Sequence, residues 1–206
     1  MFPPEFFNGD AASRTRGIEF NGNDEAASGG KGATGFQLSS TAASGQPIEF
    51  GFVESFQAFS PERLFAPTGG TVFDVLFFDP VDQKTPSVTD GFGAVFTNIV
   101  DNDSVYLSFY DQNDVFLVQE YARDSDAGGL SFLGASFDNS ILSKVTISAG
   151  LSATGSPFAN GENVVVMDAC IFGEPIGVAP APASVFLLLS AFVPLVVRNR
   201  RNIKTA

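Results

Sequence analysis

The sequence predicts an all-β protein, an antiparallel β-sandwich of jelly-roll type, followed by a short C-terminal transmembrane helix. Three observations carry this prediction. Short apolar runs recur along the chain, several of them alternating at every second residue, and each is bounded by Gly, Asn, Asp or Ser, the pattern of strands and turns. No amphipathic helical stretch of convincing length precedes the tail. The chain also carries 23 phenylalanines beside 3 tyrosines and no tryptophan. Those rings supply the apolar area that two packed sheets need, with few polar ring atoms to satisfy. One such domain, residues 1–174, fits the usual single-domain range.

Taken in order, residues 1–46 are loop-rich, because Gly, Ala, Ser, Asn and Asp dominate from residue 8 onward. Two short apolar islands, Gly17 to Phe20 and Gly35 to Ser39, are read as short strands between long loops. Ile48 to Val53 is a better strand, and Phe56 and Phe59 follow as apolar anchors before the break at Ser60 and Pro61. After Gly69 and Gly70 the strand signal becomes dense. Thr71 to Asp79 stops at Pro80, and Gly91 to Asp101 is almost wholly apolar, as expected of a central strand buried on both faces. Side chains alternate along a strand, so Val105, Leu107 and Phe109 share one face and Tyr106, Ser108 and Tyr110 the other. Asp111 to Asp114 is a hairpin loop of turn formers that returns into Val115 to Tyr121. Leu130 to Phe137, Lys144 to Ser148 with Val145 and Ile147 inward, and Val164 to Phe172 complete the strands.

Charge divides the chain into two objects. All 23 acidic residues lie at or before Glu174, with only 7 of the 11 basic ones, which leaves −16 on the body and +4 on the tail. A body that acidic repels nucleic acid and anionic membrane surfaces, so no nucleic-acid partner is expected. The lone Cys170 has no intrachain partner; in an apolar run it reads as an inert small hydrophobe.

Catalysis is constrained mainly by exclusion. The chain has no histidine, which removes the commonest general base, the Ser-His-Asp and Cys-His arrangements and the usual zinc sites. No phosphate-cradling glycine motif occurs between a strand and a helix. Paired carboxylates could serve glycoside hydrolysis, yet the acids cluster in turns such as Asp101 to Asp103 and Asp124 to Asp126, where hydrogen bonding to the turn backbone explains them. The expectation is that the protein is not an enzyme. No motif demands a cofactor. Structural calcium is the one the residues admit, since hard cations take carboxylate, amide and carbonyl oxygens. Its candidate ligands are Asp168, an acid among Val and Met in mid-strand, with Asp101 and Asp103. The competing reading of Asp168 is a residue where the strand leaves the core, bonded to loop amides.

The C-terminal end reads as an address. Residues 175–183 form a Pro/Ala spacer, and residues 184–206 an apolar run with a basic end. From Ala183 to Val197 there are 15 residues without a charge, about 22 Å of helix against about 30 Å of hydrocarbon. Pro194 kinks or ends such a helix, while Arg198, Arg200, Arg201 and Lys204 snorkel to headgroups and hold that end on the cytoplasmic side. Pro180, Pro182, Ala183 and Ser184, the leucine-rich run and Arg198, Arg200 and Arg201 together look like a variant of the PEP-CTERM sorting signal. That family has Pro-Glu-Pro where this chain has Pro180-Ala-Pro182. The resemblance implies a transient membrane anchor, recognised by an exosortase-type processing enzyme and cut as the protein is sorted to the cell envelope or beyond. The body resembles a family too. Gly91 to Phe96, Ser108 to Asp114, Gly129 to Gly134 and Val164 to Ala169, in that order, are similar to the β-sandwich ectodomain found ahead of such tails. There the last strand usually holds paired acids; here Ala169 follows Asp168.

Met1 to Asp10 has no basic n-region and no adequate apolar h-region. A sorting tail needs export, so the expectation is that the true start lies upstream or that the chain is a fragment; insertion by the tail alone is the alternative. Two functional classes follow. One is an exported structural or interaction protein of the envelope or extracellular matrix, and the other a carbohydrate-binding module for extracellular polysaccharide. A binding module exposes two or more rings with polar groups on one concave face, whereas a scaffold buries its rings.

Overall fold

The computed structural model describes residues 16–22, 31–39, 56–60, 64–125, 129–153 and 164–178. The described residues are all-β and contain no helix. Among the described residues twelve strands form, and ten of them build two five-stranded antiparallel sheets. The first sheet contains β1 (Ile18–Gly22), β4 (Val72–Phe77), β10 (Leu142–Ala149), β7 (Val105–Asp111) and β8 (Phe116–Tyr121), in that spatial order. The second contains β2 (Gly35–Leu38), β3 (Phe65–Thr68), β11 (Val166–Phe172), β6 (Gly91–Thr97) and β9 (Leu130–Ser136). A two-residue pair joins β5 (Ser87–Val88) to β12 (Ile176–Gly177).

The pairing is nested. β3 pairs with β11, β4 with β10, β6 with β9 and β7 with β8. Among the eight strands concerned, first therefore pairs with last, and the order closes inward on the hairpin at Asp111 to Val115. That hairpin is locally encoded: the Asp111 carboxylate accepts bonds from the Asn113 and Val115 amides at 2.7 and 2.9 Å, and Asp114 takes the positive φ the turn needs (57°).

Alternation on the strands places one shared core between the sheets. Ile18, Phe20, Phe73, Val75, Phe77, Leu107, Phe109, Val145 and Ile147 come from the first sheet, and Phe65, Phe92, Ala94, Phe96, Leu133 and Met167 from the second. Rings meet across it edge to face, Phe20 with Phe65 at 5.3 Å and Phe77 with Phe92 at 6.2 Å, the geometry that aromatic quadrupoles favour. β6 is buried along its whole length, in keeping with its place between β11 and β9. It stops at Thr97, short of the Asp101 read from sequence. Asn98 turns the chain with φ of 69°, and its side-chain amide donates to the Val164 carbonyl at 3.0 Å.

Three strands were not legible as such in the sequence. β3 contains Pro67, which lowers strand propensity, and β5 and β12 are only two residues each. The predicted strand at Ile48 to Val53 lies outside the described residues, as does the whole C-terminal segment from residue 179. No helix long and apolar enough to cross a membrane occurs among the described residues.

Candidate functional site

With the inner faces committed to the core, chemistry falls to the outer faces. On the first sheet the strand registers stack the outward residues into three rows. The middle row crosses all five strands as Asn21, Asp74, Thr146, Ser108 and Gln119. Every member is polar. Thr146 Oγ1 donates to Asp74 Oδ1 at 2.6 Å, Ser108 Oγ donates to Gln119 Oε1 at 2.9 Å, and the Gln119 amide nitrogen donates to the Tyr121 hydroxyl.

Aromatic residues close the rows on either side. Tyr106 and Tyr121 are directly paired across β7 and β8 with ring centroids 5.7 Å apart. Tyr110 and Phe116 are paired at 5.9 Å and an interplanar angle of 72°. Phe116 and Tyr121 are 53% and 47% exposed, while Tyr106 and Tyr110 are half-buried. All three tyrosines of the chain thus lie on one face. Lys144, opposite Tyr110 on β10, stands 4.7 Å from the centre of that ring and 2.6 Å from the Asp114 carboxylate, which holds it by a cation–π contact and an ion pair at once.

A concavity of about 430 Å³ lies on the outer face of the second sheet. Gly93 and Gly134, paired across β6 and β9, form its floor, and Phe132 and Ile171 are 60% and 67% exposed at its sides. A Cβ on Gly93 would come within 2.5 Å of the Phe132 ring, so that ring leans over the glycine pair and shields backbone that would otherwise lie bare. Polar side chains are few there, Asp90 and Ser136 being the lining pair.

Asp168 is 2% exposed and sits where the β11–β6 register shifts, between Met167 and Cys170. Its Oδ2 accepts the Phe59 and Ser60 amides, the latter at 3.0 Å, and its Oδ1 accepts the Ser60 hydroxyl. These bonds tie the segment Phe56 to Ser60 to β11, beside a small second core of Phe56, Leu64, Ala66, Val164 and Val166. Asp101 and Asp103 lie in the β6–β7 turn, where Ser104 donates to the Asp101 carbonyl through its hydroxyl at 2.7 Å and Asp103 has a φ of 64°. Among the described residues no group of three or more Asp, Glu, Cys or His comes together as a metal site. Cys170 packs against the main core as a free thiol. Burial pushes that thiol well above its ordinary pKa, with the nearby Arg16 guanidinium acting weakly the other way, so it is held protonated and unreactive. Pro180, Pro182, Ala183, Ser184, Arg198, Arg200 and Arg201 lie outside the described residues.

The alternation of Tyr106, Ser108 and Tyr110 was readable from sequence. Gln119, Thr146 and Asp74 were not, because only long-range register aligns them; the small polar residues at alternate positions of β10 were the available signal. No protein-family model, curated protein or solved structure matches the chain.

Proposed function

We propose that this chain is an exported, non-catalytic interaction domain of the cell envelope or extracellular matrix that holds polysaccharide on the tyrosine face of its first sheet. The observation that carries this reading is the fully polar row flanked by two aromatic pairs, Tyr106 with Tyr121 and Tyr110 with Phe116. A sugar ring has an apolar face of C–H groups and a rim of hydroxyls. Flat exposed rings accept the first, and carboxylate, amide and hydroxyl groups accept the second. The glycine-floored cleft of the second sheet offers one exposed ring and few polar partners, which fits a polysaccharide less well.

The jelly-roll form of the sandwich belongs to the same proposal, supported by the nested pairing of β3 with β11, β4 with β10, β6 with β9 and β7 with β8, since a rolled antiparallel ribbon pairs its strands in that order. The C-terminal segment is proposed as the sorting signal, a transient membrane anchor read by an exosortase-type enzyme. Mass spectrometry of the exported protein tests that part: loss of the residues after the Pro180 to Ser184 region is expected, and an intact Ala206 on the mature protein contradicts it. Affinity electrophoresis of the full chain through gels containing neutral polysaccharides tests the binding. Retardation that Tyr121→Ala abolishes is expected. Unaltered mobility in every neutral polymer would remove the carbohydrate reading and leave the structural one.

A further inference from the structure

Resting on the polysaccharide reading of the tyrosine face, we infer that this face takes an internal segment of a neutral polysaccharide, laid along β7 so that both aromatic pairs are occupied together. The spacing comes from the register. Tyr106 and Tyr110 are four residues apart on one unbroken strand, which separates the two pairs by about 13 Å at the usual rise per residue. A single sugar ring does not cover both stations. A chain of several rings does, and its hydroxyls then cross the half-buried Gln119 between the stations, which is anchored to the buried Ser108 and to Tyr121.

Neutrality follows from charge. Lys144 is the cation of the three rows, and it is already engaged by Asp114 at 2.6 Å and by the Tyr110 ring at 4.7 Å. Around it the body carries 23 acidic residues against 7 basic ones. An acidic polysaccharide therefore meets a repulsive field and no available counter-charge on the three rows, whereas a neutral one meets neither penalty. Because the stations are a tilted pair and an edge-to-face pair of rings on a sheet face, each with one ring about half exposed, neither station demands a chain end.

The test uses the full chain and neutral gluco-, manno- and xylo-oligosaccharides of increasing length, with an alginate series as the acidic comparison. Affinity is expected to rise at least about tenfold once the oligosaccharide is long enough to cover both stations. Tyr121→Ala and Phe116→Ala, at opposite stations, are each expected to return long oligosaccharides to the affinity of short ones; circular dichroism of both variants checks that they fold. Binding that is as tight for a single ring as for a long chain overturns the two-station inference and leaves the carbohydrate reading standing. Tighter binding of alginate overturns the neutral class. Absence of binding by every saccharide at every length overturns both the inference and the reading beneath it.

Discussion

Asp168 is a buried carboxylate whose bonds go to a segment more than a hundred residues earlier in the chain, to Phe59 and Ser60. A charge so placed is tolerated because its oxygens are engaged, and removing it leaves two amides and a hydroxyl without their acceptor. Asp168→Ala is therefore expected to cost about 2–3 kcal/mol in chemical denaturation, while Asp138→Ala, at an exposed acid, stays within about 0.5 kcal/mol. Equal effects of the two would contradict the tether. Asp82 makes a separate residue-level case. The Thr85 hydroxyl, then the Thr85 and Lys84 amides, hold its carboxylate at a pKa of about 2 against an ordinary 3.8. A depressed carboxylate favours the folded state fully above 3.8 and loses that contribution as pH falls through about 2. A carboxyl NMR titration is expected to give a midpoint near 2, and Thr85→Ala to move it toward 3.8; a wild-type midpoint at 3.8 would show that the turn does not form as described.

Strands and turns carry the next set of consequences. Gly70 lets residues 31 and 32 cross close to the start of β4, where the Val72 amide donates to the Lys31 carbonyl at 2.9 Å and the Ala33 amide to the Val72 carbonyl at 2.7 Å. A Cβ on Gly70 would lie 2.2 Å from the Gly32 carbonyl oxygen and 2.4 Å from that of Lys31. Backbone on both sides cannot yield as a side-chain tip can, so Gly70→Ala is expected to destabilise by about 1–3 kcal/mol. Gly93→Ala meets chiefly the movable Phe132 ring, with the backbone carbonyl oxygen of Leu133 farther off at 3.2 Å, and should cost less; thermal melts of the pair read the difference, and the reverse order would contradict the close crossing. The same contrast explains what the sequence could say. Runs with strict alternation, such as Val105 to Tyr110 and Lys144 to Ser148, announce their strands and their inner faces, because period two is a local property. β3 is set by its pairing with β2 and β11, a long-range contact that its own Pro67 argues against. Likewise the polar row needs four registers at once, so its two tyrosine-bearing neighbours on β7 were visible while Asp74, Thr146 and Gln119 were scattered polar residues. Asp168 stood out as an acid among apolar residues, but its partners at Phe59 and Ser60 left no local mark.

At the scale of the whole molecule, the two sheets divide the work. Their inner faces bury phenylalanine, which needs no hydrogen-bond partner, and the first sheet turns all three tyrosines outward. Had core packing alone governed the aromatic residues, the hydroxyl-bearing rings would have no reason to gather on one face beside a row of amide, carboxylate and hydroxyl groups. The net negative charge of the body disfavours anionic polymers. The absence of tryptophan makes this account directly readable, since intrinsic emission excited at tyrosine wavelengths reports Tyr106, Tyr110 and Tyr121 and nothing on the second sheet. Adding a neutral polysaccharide that retards the full chain is expected to change tyrosine emission saturably, at the concentrations that retard it, with Phe132→Ala on the opposite sheet leaving the change intact. Retardation without any change in tyrosine emission, or its loss in Phe132→Ala, would contradict the assignment of binding to this face.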